Sequence, residues 1–245
     1  MCALSNMNYK DKIYDRYVSL QTSNILKIQT FAEFEKQFPV WDKYFGDILT
    51  CKDAAIVDVA CGNGDLVHWL NTRGYKNVVG IDISEEQVSV AQGLGLGNVS
   101  RADFREYLKE KIDYFDAVFA LDILEHFPKA EMLEAVDLFF RSLKKGGLLI
   151  IKMPNGDSPF FGRYAFGDFT HETIMTDRSF KEVFSFIGFR EYQFKEAGPI
   201  PHGVFSFVRY CLWQLSRLVV NVYLLAETGR RGNVLTQNII AIAKK

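Results

Sequence analysis

Cysteine is scarce and scattered: Cys2, Cys51, Cys61 and Cys211 lie far apart in 245 residues, with no C-x-x-C pair. That spacing excludes a disulfide frame or a zinc knuckle and points to reduced thiols. The opening MCALSNMNYKDK has no long apolar run, so export is not expected and a cytoplasmic location is. Excess charge of one sign is missing too. The formal net charge of −1 offers no general attraction to nucleic acid, which is not expected as a partner. No H-x-H, H-E-x-x-H or carboxylate cluster marks a metal site, and none is expected. A G-x-x-x-x-G-K-[ST] run is absent, which excludes a P-loop. Internal repeats and low-complexity tracts are also lacking. What remains is a chain that is 48% apolar, enough for a sizeable core.

Two helical stretches open it, roughly Asn8–Leu20 and Thr30–Leu49, the second broken at Pro39. Strands and helices then alternate. AIVDVA (residues 55–60), NVVGI (77–81), a weak strand at 98–101, YFDAVFAL (114–121) and LLIIKM (148–153) read as strands. Helices follow at 65–70, from the capping Ser84-Glu85-Glu86, and over 130–143, with a stop at Gly146-Gly147. Continuous apolar strands separated by helices argue for a parallel sheet covered on both faces. Later come a helix over 177–187 and strands over 189–195 and 236–243, with a long insert at 197–233. The reading is one α/β domain over 51–245, with an N-terminal helical cap over 1–50 and a C-terminal helical insert.

Strand 55–60 runs into Cys61-Gly62-Asn63-Gly64-Asp65, a turn whose glycines let a ligand lie against the backbone. Asp82 closes the second strand, near the spacing at which a carboxylate grips ribose hydroxyls. A dinucleotide loop wants a third glycine where Val67 stands. Asp58 and Asp65 bracket the loop instead. They would repel a pyrophosphate and suit a cationic ligand such as S-adenosylmethionine.

In order and spacing, IVDVACGNGD, VVGIDIS, RADF, FDAVFALDILEHF and LKKGGLLIIKMPN resemble the core motifs of class I S-adenosylmethionine-dependent methyltransferases, across residues 56–153. The resemblance implies their doubly wound, seven-stranded Rossmann-like sheet, with the last strand, 236–243, antiparallel. It further implies that the loop from Ala60 through Gly62 and Gly64 passes along the methionine part of the cofactor, with Asp58 near its ammonium. Asp82 would take the ribose hydroxyls, Ile83 would pack on adenine and Gln87 would sit close by. Asp103 and the Phe104 backbone would face the adenine amino group, and Leu121 would lie beneath the cofactor. Tyr17, with Tyr14, would close a lid over it.

Methyl transfer from a sulfonium needs mainly alignment, but an alcohol acceptor also gains from a base. Of four histidines, His68 falls in a helix and reads as structural, and His202 sits in the insert. His126, in LEHF after the fourth strand, and His171, in GDFTH after the fifth, are the candidate bases, with Asp122 as the carboxylate alternative.

Placed on a helix, Phe205, Val208, Cys211, Leu215, Leu218, Val219 and Val222 form one apolar face; Arg209 and Arg217 argue against a transmembrane span. Residues 204–225 are expected to pack on their own domain, to form a homodimer contact, or to lie peripherally on the inner face of a membrane. The tail as a whole resembles methyltransferases of bacterial surface-glycan biosynthesis and, more distantly, quinone O-methyltransferases. The expected reaction is O-methylation of a sugar or glycan-precursor hydroxyl. A quinone phenol as acceptor, or a non-catalytic S-adenosylmethionine-binding protein, are the alternatives.

Overall fold

The structure, a computed structural model, describes residues 30–232 and 234–245. The expected helix over residues 8–20, with Tyr14 and Tyr17, lies outside them. Two short helices come first, α1 (Phe31–Glu35) and α2 (Phe38–Phe45). The chain breaks at Lys36-Gln37, just ahead of Pro39, because proline needs no N–H donor in a first helical turn and fits there rather than in a helix interior.

Then follow β1 (Ala55–Val59), α3 (Asp65–Thr72), β2 (Asn77–Asp82), α4 (Glu85–Gly93), β3 (Val99–Arg101), α5 (Phe104–Lys109) and β4 (Phe115–Leu121). A 3₁₀ turn (Leu124–His126), α6 (Lys129–Ser142), β5 (Leu143–Pro154), α7 (Phe161–Ala165), α8 (Asp177–Ile187), β6 (Glu191–Glu196), α9 (Val204–Thr228) and β7 (Asn238–Lys244) complete it. The boundary that moves most is the one between α6 and β5. Helix α6 ends at Ser142, and β5 starts at Leu143, ahead of the glycine pair. The register slips there, from Phe115 opposite Leu143 to Ala117 opposite Leu148, and Gly146 at φ 82° takes up the irregularity.

The seven strands run in the order β3-β2-β1-β4-β5-β7-β6, with β7 antiparallel to both neighbours and the rest of the central sheet parallel. The doubly wound, seven-stranded fold implied by the resemblance is therefore observed. Each strand feeds two cores. Val57, Val118, Leu149 and Ala241 face a cluster with Phe139, Phe180 and Phe184 from α6 and α8. Ile56, Phe119, Ile150 and Ile240 face Trp69 of α3, with Phe34, Trp41 and Phe45 of α1 and α2. The strand order reverses between β1 and β4, so a crevice opens where their C-terminal ends diverge.

Candidate functional site

Both central strands end on a residue forced into the left-handed region, Ala60 (φ 57°) after β1 and Asp122 (φ 53°) after β4. Such backbone costs about 1–3 kcal/mol per residue and concentrates at sites where a ligand must be approached. The two glycines of the loop do different work. A Cβ at Gly62 (φ 55°) would meet nothing within 4 Å, as expected of a surface left bare for a ligand. At Gly64 (φ 82°) a Cβ would come within 2.7 Å of Leu96 Cδ1, so that glycine serves close packing of α3, not the ligand face. Gly80 in β2 was not anticipated: a Cβ there would strike Val67 and Cys61 Sγ. Its absence lets the buried Cys61 lie against the strand and sets the loop height.

Asp82 ties the loops together. Its Oδ2 accepts from Gly62 N and its Oδ1 from Ser84 N, both at 2.8 Å. Ser84 caps α4 by accepting from Gln87 N, which places Gln87 in the first turn beyond the carboxylate. Ile83, beside Asp82, is 62% exposed, an apolar platform open to solvent as a base-stacking role requires. Asp103 caps α5 through Oδ1 to Arg105 N, and Phe104 is buried beneath it. Leu121 ends β4 half-buried.

Three carboxylates converge at this end of the sheet. Burial holds Asp58 well above the usual carboxylate range, and the charges of Asp65 and Asp82 push it the same way. Asp65 and Asp82 are likewise raised, chiefly by burial, against the opposing pull of nearby backbone N–H groups. Mutually repelling, desolvated carboxylates are relieved by a cation and strained by a pyrophosphate. A polar cleft of about 200 Å³ between α1 and the loop, lined by Glu33, Phe34, Gln37, Asn63 and Asp65, adjoins them.

Beyond the ends of β4 and β5, sequence-distant segments are stitched together. Glu125 O accepts from Glu172 N (2.7 Å) and Thr173 N (3.1 Å), and Thr173 Oγ1 donates to Phe127 O. The rings of His126 and His171 consequently meet edge to face, with centroids 4.9 Å apart. The hydrogen bonds assign their tautomers. Thr170 Oγ1 has one proton and gives it to Asp168 Oδ1 at 2.6 Å. His126 Nδ1, 2.9 Å from the same hydroxyl, is then the donor of that pair. His171 Nδ1 lies 3.0 Å from Tyr164 O, a carbonyl that only accepts, so this nitrogen carries a proton. Burial, then the neighbouring His171, lower the pKa of His126 and keep it neutral.

Glu125 was missed as a site residue, although it stands inside LEHF. It is 2% exposed, its Oε2 has no hydrogen-bond partner, and burial pushes its carboxyl up. Donor atoms of Glu125, His126 and His171 all lie within 4.8 Å of one another, a set able to hold a divalent ion that no spacing in the sequence announced. Asp122, the carboxylate alternative to the histidines, is instead paired with Lys152. His68 stacks on Phe31 at 3.9 Å and is structural, as expected. His202 is exposed, with Nδ1 against Ile200 O.

Residues 56–147 match the family model for a methyltransferase domain. The match spans the strands and loops that carry Asp58, Gly62, Asp82 and His126 and leaves the segments on either side outside it. Relatives include the ubiquinone biosynthesis O-methyltransferase of Dechloromonas aromatica, 33% identical over 105 residues, which are 41% of this chain and 44% of that one. A tRNA U34 carboxymethyltransferase of Actinobacillus pleuropneumoniae is 33% identical over 118 residues, 46% of this chain and 36% of that one. The chain thus spans less than half the length of these curated relatives. In fold, a SAM-dependent methyltransferase from Archaeoglobus fulgidus superposes with a TM-score of 0.64 at 22% identity, covering 86% of this chain and 94% of that one. The acidic trio, the bare face of Gly62 and the Ile83 platform fit S-adenosylmethionine, the cofactor on which this structural neighbour depends.

Proposed function

We propose that this chain transfers a methyl group from S-adenosylmethionine to an acceptor hydroxyl and that His126 takes the hydroxyl proton. The observation that carries the reading is the Asp168–Thr170–His126 chain of hydrogen bonds, which holds the His126 imidazole against the His171 ring beyond the end of the fourth strand. Bound S-adenosylmethionine supplies a methyl group on a sulfonium whose leaving thioether is neutral. The chain's part is placement. Asp82 takes the ribose hydroxyls, Ile83 and Asp103 hold the adenine, and Asp58 and Asp65 compensate the cationic end. As the new C–O bond forms, the acceptor proton passes to His126 Nε2. The imidazolium is then stabilised through Thr170 by Asp168. His171 lines the acceptor side and can exchange the proton onward.

The acceptor we favour is a hydroxyl of a sugar or glycan precursor, whose high pKa makes proton removal worth catalysing. A second acceptor, a quinone phenol, is favoured by the 33% identity to ubiquinone O-methyltransferases. The two separate chemically. A phenol near pKa 10 needs less help from a base than an alcohol does, so loss of His126 should harm sugar methylation more. Labelled S-adenosylmethionine offered with nucleotide sugars, lipid-linked glycans and phenols tests the reading. Tight cofactor binding with no S-adenosylhomocysteine formed from any hydroxyl would make the chain a binding protein instead.

A further inference from the structure

Helix α9 is turned inside out. None of its 25 residues is buried. The side chains half-covered by the body recur at helical spacing, Ser206, Tyr210, Trp213, Arg217, Asn221 and Leu224, and include its polar anchors. Arg217 Nε meets Glu196 Oε1 at 3.1 Å, and Asn221 Oδ1 accepts from Gly232 N at 3.0 Å. On the opposite arc Phe205, Val208, Leu212, Leu215, Val219 and Val222 are each at least half exposed. The apolar face foreseen from the sequence therefore points away from the domain, and packing against it is not its role. A globular surface helix does the reverse. At 1.5 Å per residue the exposed face is about 37 Å long, and soluble monomers rarely leave so much contiguous apolar surface uncovered.

Its location is informative. Strand β6 is antiparallel to β7, and β7 to β5, so the C-terminal end of β6 shares the sheet edge where β4 and β5 end. The insert leaves β6 at that edge, and Tyr44 Oη donates to Gly198 O at 3.0 Å to anchor its start. Charge is the second clue. Residues 203–232 hold four arginines (Arg209, Arg217, Arg230, Arg231) against one glutamate (Glu227), in a chain whose net charge is −1. Among the described residues, no helix is long and apolar enough to cross a membrane.

We infer that α9 is an interfacial helix that lies in the surface of an anionic lipid bilayer, its apolar arc among the acyl chains and Arg209, Arg230 and Arg231 at the headgroups. Apolar burial and attraction of basic side chains to anionic lipid both favour that placement. A second copy fits less well, because an arc covering nearly half the helix is wider than a two-helix seam needs. The inference is independent of which acceptor is methylated.

Flotation of the full chain with phosphatidylcholine vesicles, with and without phosphatidylglycerol, tests it. The intact protein should float with the anionic vesicles, less so as salt rises, and poorly with phosphatidylcholine alone. The double variant Leu215→Glu/Val219→Glu should lose vesicle affinity at least tenfold while its circular dichroism and S-adenosylhomocysteine affinity stay unchanged, since neither side chain packs on the domain. Failure of the intact protein to float would overturn the inference. So would a solution dimer in sedimentation velocity that the same double variant splits, with no vesicle binding by either protein.

Discussion

Replacing Asp82 by asparagine probes the cofactor site at its most connected atom pair. Each carboxylate oxygen already accepts one backbone amide, from Gly62 and from Ser84. A carboxylate offers about four lone-pair sites, so one remains on each oxygen for a ribose hydroxyl. Hydrogen bonds to a charged group are worth about 1.5–3 kcal/mol each, so the two together hold about 3–6 kcal/mol of cofactor affinity. Alanine removes all of it, about two to four orders of magnitude in Kd, but also orphans two backbone amides in a site that is 9% exposed. Asparagine keeps the shape and one acceptor oxygen. It should therefore retain the fold and lose about half of that energy, roughly a ten- to hundredfold weakening. Calorimetric titration with S-adenosylhomocysteine, beside a urea melt of each variant, separates the two effects. If Asp82→Asn binds within threefold of the parent, or if binding falls only in step with unfolding, the ribose assignment is wrong.

Ala at His126 should lower turnover by about two to four orders of magnitude with cofactor affinity nearly unchanged, and the acidic limb of the parent's rate profile should fall below the ordinary histidine value of about 6.5, because burial lowers that pKa. Steady-state kinetics in which neither His126→Ala nor His171→Ala slows the reaction tenfold would remove histidine from the chemistry. Thr170→Val deletes the acceptor of His126 Nδ1–H and should cost about tenfold in kcat, near one hydrogen bond, with little change in KM. Asp58, Asp65 and Asp82 carry raised pKa values, so the folded apoprotein holds more protons than the unfolded chain above the usual carboxylate range. Stability should then fall as pH rises from about 4 through the raised values, and binding the cationic cofactor should release protons. Thermal melts across pH, and calorimetry in buffers of different ionisation enthalpy, read both; stability rising over that window would refute the burial argument. Zinc ion should inhibit by occupying the same lone pairs on Glu125, His126 and His171, with chelator restoring the rate and His171→Ala blunting the effect; activation by the ion would instead give the cluster a role in the reaction.

The linear chain by itself determined the parts of this protein whose causes are local. Apolar runs such as AIVDVA and YFDAVFAL read as buried strands, Ser84 caps the helix that follows it, and the glycine turn with its acidic neighbours names the class of ligand. Even the place of β7 came from an ordered series of motifs, each a few residues long. Tertiary structure decided whatever depends on contacts between distant segments. Thr170 and His126 are 44 residues apart, and only the stitching of Glu172 and Thr173 onto Glu125 turns two isolated histidines into a pair with assigned tautomers. Asp122, adjacent in sequence to the same motif, is paired with Lys152 from the neighbouring strand. Helical periodicity showed that α9 has an apolar face but not which way it points, because period carries no direction. Arg217 on Glu196 and Asn221 on Gly232 settle that, and they turn the apolar face outward.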